Sequence, residues 1–150
     1  MDIHVEGSRT TDQAWLAAHN SPIESLPALS EEGIREADEL HMPREAYLRS
    51  AYASELSRQA LTELVERYGR AVEKLLKLRF PQASIAAIRL TTWRGRLDVS
   101  VRDGLQTVRF EIDEDLVERL LTTGSAESLN SLKTVIEMNL VALDDRFEAS

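Results

Sequence analysis

Between residues 85 and 112, three runs of alternating apolar and polar residues are separated by two glycine-bearing dipeptides, Arg94-Gly95 and Asp103-Gly104. Alternation with a period of two is the pattern of a strand with one face buried. Asp-Gly is a strong two-residue hairpin signal. Together they predict a three-stranded antiparallel meander, and its register can be tested on paper.

Folding about Asp103-Gly104 sets Val99 against Val108 and Leu97 against Phe110. It also sets Asp98 against Arg109 and Arg96 against Glu111, two opposite-charge pairs. Folding about Arg94-Gly95 sets Leu90 against Val99 and Ile88 against Val101; only Val101 against Gln106 fits poorly. One face of the expected sheet is then apolar, with Ile88, Leu90, Leu97, Val99, Val101, Val108, Phe110 and Ile112. The other carries Arg89, Arg96, Arg102 and Arg109 among hydroxyls and carboxylates, with Trp93 and Arg94 at one end. An apolar sheet face needs a cover, and helices must supply it.

Helical signals flank the meander. Thr10 to Gln13 fits a capping box for a short helix through Trp15 to Asn20, which Pro22 and Pro27 then end. Ser30 is placed to cap a helix over about residues 31–40, and Pro43 opens the next. Helical spacing then runs to Arg79, a length that suggests a bend near Ser54 to Ser57. Leu61, Leu64, Val65, Tyr68, Val72, Leu75 and Leu76 form its apolar stripe, with Arg67, Arg70, Lys74 and Lys77 opposite. After the strands, Asp113 caps a short helix that Gly124 closes. Ser125 caps the last helix, whose stripe is Leu129, Leu132, Val135, Ile136, Leu140 and Leu143, and the tail Asp144–Ser150 is expected to fray.

The expected fold class is α+β: N-terminal helices, a three-stranded antiparallel meander, and two C-terminal helices packed on one sheet face. Residues 1–29 read as a loosely ordered arm with a short helix, and residues 30–150 as a single domain.

Charge is segregated along the chain. Residues 1–66 carry 13 acids and 5 bases, residues 67–109 carry 10 bases and 3 acids, and residues 110–150 carry 10 acids and 3 bases. The total of −8 opposes indiscriminate nucleic-acid binding, which needs a positive field. The absence of Cys excludes thiol catalysis and Cys-based zinc sites. With no basic-then-apolar leader and no long apolar run, the cytoplasm is the expected location and no membrane contact is implied.

No residue set forces a chemistry. His4, His19 and His41 share no metal-ligand spacing. Asp113, Glu114, Asp115 and Glu118 are accounted for by the first turn of a helix. Residues 37–49 have the loose outline of a helix-turn-helix, but His41 stands where that motif carries glycine. Its acidic flanks would repel phosphates, so two packed short helices is the plain reading.

The expectation is therefore a non-enzymatic protein-interaction module, a small acidic subunit, adaptor or inhibitor, with no cofactor and no metal. Its partner would be another protein or a second copy in a dimer. The candidate partner-binding residues are Arg89, Trp93, Arg94, Arg96, Arg102 and Arg109. Nucleic-acid binding through the Arg-rich sheet face is the alternative, and an enzyme of unassigned type a second one.

Overall fold

The computed structural model describes residues 1–7 and 9–140. The chain divides into two compact units, one formed by Met1–Gly7 with Thr62–Ser150 and the other by Ser8–Leu61.

The first unit is α+β and holds the sheet. Its strands are β1 (Asp2–Glu6), β2 (Ser84–Thr91), β3 (Arg96–Asp103) and β4 (Gln106–Asp113), in the spatial order β1-β2-β3-β4. β2, β3 and β4 form the antiparallel meander, but the sheet has four strands rather than three. The added strand comes from the start of the chain and pairs in parallel with β2, Ile3 beside Ile88 and Val5 beside Leu90. Ile3 and Val5 extend the apolar face by one strand. A parallel partner distant in sequence leaves no turn to announce it.

Both hairpin registers differ from the paper fold by two residues. β3 and β4 meet about Gly104-Leu105, so that Asp103 faces Gln106, Val101 faces Val108, Val99 faces Phe110 and Leu97 faces Ile112. Gly104 takes φ 62° and Leu105 stays at negative φ. That is the pattern of a turn with glycine at its first central position, not of an Asp-Gly turn. β2 and β3 are joined by residues 92–95, which sets Leu90 against Leu97 and Ile88 against Val99. A shift of two preserves the face of every side chain. The apolar face is accordingly as read: Ile88, Leu90, Leu97, Val99 and Val101 are sealed from solvent, and Phe110 and Ile112 nearly so. A bulge at Ala86 then changes the register between Ile85 and Ala87.

Helices cover that face. α4 (Glu114–Thr123) and α5 (Ala126–Asn139) follow β4 and pack against the sheet. Gly124 ends α4 in the left-handed conformation at φ 60°, and Ser125 caps α5 by accepting from the Ser128 amide. Asp113 holds the cap position of α4 without a side-chain cap bond; its carboxylate turns to Arg96 instead, 3.6 Å away. Leu132, Ile136 and Leu140 are buried as expected, while Leu143 and the tail lie outside the described residues.

α3 (Arg44–Arg79) is one helix, with no break at Ser54 to Ser57. In its second half Val65, Tyr68, Val72 and Leu76 are buried and Arg67, Arg70, Lys74 and Lys77 are exposed. Gly69 lets the helix come close: a Cβ there would stand 3.6 Å from Ile88 Cγ2 and 2.6 Å from Met1 Sδ. Tyr68 donates from its hydroxyl to the buried carboxylate of Glu114 at 3.1 Å. Glu73 accepts from the Ile85 amide at 3.1 Å, which pins the start of β2.

The second unit is helical, with α1 (Asp12–Asn20), a 3-10 turn (Ile23–Ser25), α2 (Glu31–Glu39) and the first part of α3. Thr11, not Thr10, caps α1 by accepting from the Ala14 amide, and its own amide donates to Ser57 Oγ. Ser57, within the stretch where a bend was expected, is a buried hydrogen-bonding partner. Arg49 Nη1 donates to the carbonyls of Ala18 and Ser21, both at 2.8 Å, closing the negative end of α1. The buried residues here are mostly alanines (Ala14, Ala18, Ala37, Ala53), with Leu26 and Leu61.

Candidate interaction surface

Alternation places one set of side chains on the face of the sheet away from the apolar core. β1 contributes Asp2, His4 and Glu6; β2 contributes Ala87, Arg89 and Thr91; β3 contributes Arg96, Asp98, Ser100 and Arg102; β4 contributes Thr107, Arg109, Glu111 and Asp113. The four arginines are exposed. So the fold brings Arg89, Arg96, Arg102 and Arg109 onto one open face and leaves Trp93 and Arg94 in the β2–β3 loop at its end.

The electrostatics of this face are mixed. Arg96 lies 3.2 Å from Glu111 and 3.6 Å from Asp113, and Arg89 lies 3.8 Å from Glu6. Five carboxylates (Asp2, Glu6, Asp98, Glu111, Asp113) stand among the four guanidinium groups. Arg102 and Arg109 sit toward the β3–β4 hairpin, diagonal to each other, opposite Thr107 and Ser100 respectively. Neither makes an ion pair among the described residues.

The β2–β3 loop is held at both sides. The Thr92 amide donates to the Glu6 carbonyl at 3.0 Å, and the Glu114 amide donates to the Gly95 carbonyl at 2.8 Å. Trp93 lies against Gly7, whose added Cβ would meet the indole at 2.7 Å, yet the ring is 66% exposed. Arg94 lines a cleft of about 320 Å³ with Gly95, Asp113, Glu114, Asp115 and Arg119. A second cleft of about 200 Å³ lies between Leu75, Leu78 and Arg79 of α3 and Lys133, Ile136 and Glu137 of α5. No group of three or more His, Asp or Glu side chains among the described residues is placed to hold a metal ion.

Several exposed apolar side chains were not read as surface. Leu105 at the tip of the β3–β4 hairpin is fully exposed, and Leu78 and Met138 are largely so. In the second unit Trp15 stacks on His19 at 4.1 Å and is half exposed, with Leu16, Ile23 and Leu40 exposed as well. Helical spacing alone does not show which turns a neighbouring element covers, so those on helices had no sequence signal for exposure.

At residues 37–49 the turn between α2 and α3 does contain a left-handed residue. It is His41, at φ 53°, where a glycine would be free of strain. Tyr47 donates to Glu36 at 2.7 Å and Arg44 reaches Asp38 at 3.3 Å, so these side chains fasten the two helices. The hydrogen bond to Glu36 raises the Tyr47 phenol above its ordinary value, and the charges of Glu36 and Glu32 add to this.

No described helix is long and apolar enough to cross a membrane. No protein-family model, curated protein or solved structure matches the chain.

Proposed function

We propose that the chain is a non-enzymatic protein-interaction module, a small acidic subunit, adaptor or inhibitor that also self-associates. The observation that carries this reading is the mixture of charges on the open sheet face. A surface built for a polyanion concentrates cations, because each phosphate it neutralises releases counterions. Here two of the four arginines already face carboxylates of the same sheet, and acids outnumber arginines on the face. Alternating signs beside an exposed aromatic suit a protein partner, where opposed charges set register and suppress wrong pairings.

Nucleic-acid binding is the rival that one experiment removes. At low salt the full chain is expected to pass through immobilised single-stranded DNA and RNA unretained. Light scattering is expected to give a mass that rises with concentration toward twice that of the chain. Salt-dependent retention that disappears in a variant with Arg89, Arg96, Arg102 and Arg109 changed to Glu would contradict the proposal.

A further inference from the structure

β4 is an edge strand, with β3 as its one neighbour among the described residues. Asp103 and Gln106 close the two-residue turn and so form a hydrogen-bonded pair. Along an antiparallel ladder such pairs alternate, so Val108, Phe110 and Ile112 direct their backbone groups to β3. The bond from the Glu114 amide to the Gly95 carbonyl continues the same series of even-numbered residues. Thr107, Arg109, Glu111 and Asp113 therefore point their N–H and C=O groups away from the sheet. Apart from the Asp113 carbonyl, which as the cap of α4 accepts the first bond of that helix, these outward groups have no backbone partner among the described residues.

Edge strands are commonly guarded by charged side chains (Lys above all), Pro, a bulge, short length or a covering helix or loop. β4 has eight residues, an unbroken register with β3, and neither Lys nor Pro. Its charges, Arg109, Glu111 and Asp113, are of both signs, so the edge is closed to most strands and open to one of complementary charge, and the sequence of β4 says which strand fits.

Outward groups can bond only to outward groups, so odd-numbered residues must oppose odd-numbered residues. Set antiparallel to itself about Phe110, β4 places Arg109 opposite Glu111 of the other copy, and Glu111 opposite its Arg109. Thr107 then meets Asp113, Val108 meets Ile112, and Phe110 meets Phe110 on the apolar side. The two neighbouring registers that keep the hydrogen bonds each set one like-charge pair on the axis, although the one about Glu111 also pairs Arg109 with Asp113. Centring on Arg109 opposes the two arginines, and centring on Glu111 opposes the two glutamates. The pairing about Phe110 also brings a second guanidinium to Glu111, which within its own sheet stands directly opposite Asp98.

We propose that two copies of this chain join along β4, antiparallel, with a two-fold axis through Phe110 and a continuous eight-stranded sheet. The inference rests on the self-association proposed above and adds the surface and its register. An isologous contact of this kind is closed, because each patch meets its own copy and no further edge is created.

The test is a charge swap in the full chain, read by sedimentation equilibrium. Arg109→Glu and Glu111→Arg each turn two opposite-charge pairs into two like-charge pairs, and each is expected to weaken the dimer roughly thirtyfold. The double variant, R109E with E111R, restores both pairs and is expected to recover the wild-type constant. Arg109→Pro serves as a second probe: it removes an outward N–H while leaving the bonds to β3 in place. It is expected to yield a monomer with an unchanged far-ultraviolet spectrum. A wild-type dimer that all of these variants leave intact would overturn the β4 interface while leaving self-association standing. A wild-type chain that stays monomeric at high concentration would overturn both.

Discussion

Asp98 and Glu111 stand directly opposite each other across β3 and β4, two carboxylates in one cross-strand position. Like charges so placed cost a few tenths of a kcal/mol. The sheet accepts that cost because the same register aligns Val101 with Val108, Val99 with Phe110 and Leu97 with Ile112. Burying one such side chain contributes about 1.5–3 kcal/mol, more than a surface ion pair returns. The guanidinium of Arg96, 3.2 Å from Glu111, offsets part of the repulsion.

Arg96 should therefore matter more than an ordinary surface arginine. Arg96→Gln leaves Glu111, beside Asp98, and Asp113 without the cation they pair with, while Asp98 keeps Arg89 opposite it on β2. It is expected to lower stability by on the order of 0.5–1 kcal/mol at low salt. The loss should shrink as salt is added, since these groups are about half exposed and screened. Urea midpoints at two ionic strengths measure it.

The hairpin turn makes a conformational prediction. Nothing lies within 4 Å of a Cβ built on Gly104, so a substitution there meets only the strain of φ 62°. Gly104→Ala is expected to cost about 1 kcal/mol, because the first central position of such a turn takes a positive φ that an L side chain resists. Leu105→Ser, at a fully exposed position, is expected to leave the melting temperature unchanged.

In the helical unit, a single side chain holds the end of α1. Arg49 donates to the carbonyls of Ala18 and Ser21 and pairs with Glu45 at 3.2 Å. Lys cannot reproduce that fork. Arg49→Lys is expected to cost about 1–2 kcal/mol. Amide exchange should report the loss first in Ala17 and Ala18.

The Tyr47 hydroxyl offers a pH readout. Its hydrogen bond to Glu36 holds the phenol above the ordinary 10.0. The raised value means that the contact contributes below 10.0, while the phenol is protonated and Glu36 ionised, and is lost as pH climbs through the folded-state value. Ring chemical shifts should place the Tyr47 midpoint above that of Tyr47 in a Glu36→Gln variant. Equal midpoints would show that the hydrogen bond is not made.

The two faces of the sheet are legible in the sequence because side chains alternate with a period of two. A two-residue error in both turns left Val99 inward and Arg109 outward. The partners were not legible, because Asp103-Gly104 and Gly104-Leu105 offer the same glycine to two turn types. Opposite charges favoured the first and apolar alignment decided for the second. Asp2 to Glu6 alternates too, but a five-residue strand whose partner is Ser84–Thr91 has no local signal to mark the pairing. The bend expected near Ser54 to Ser57 was inferred from helix length alone, and the helix is uninterrupted there. Ser57 instead makes a hydrogen bond to the Thr11 amide, and helix length carries no information about such a partner. As for the surface, the arginines were legible as one face. Their carboxylate neighbours on β1 and the open edge of β4 follow from topology, which no local pattern encodes.

Amide hydrogen exchange along β4, followed over a range of protein concentrations, tests the proposed self-association most directly. The amides of Phe110 and Ile112 bond within the sheet and should be protected at every concentration. The amides of Arg109 and Glu111 point outward and should exchange fast in dilute solution, then slow as the concentration rises and the second copy pairs with them. Exchange of Arg109 and Glu111 at one rate, fast or slow, across the whole range would contradict the account.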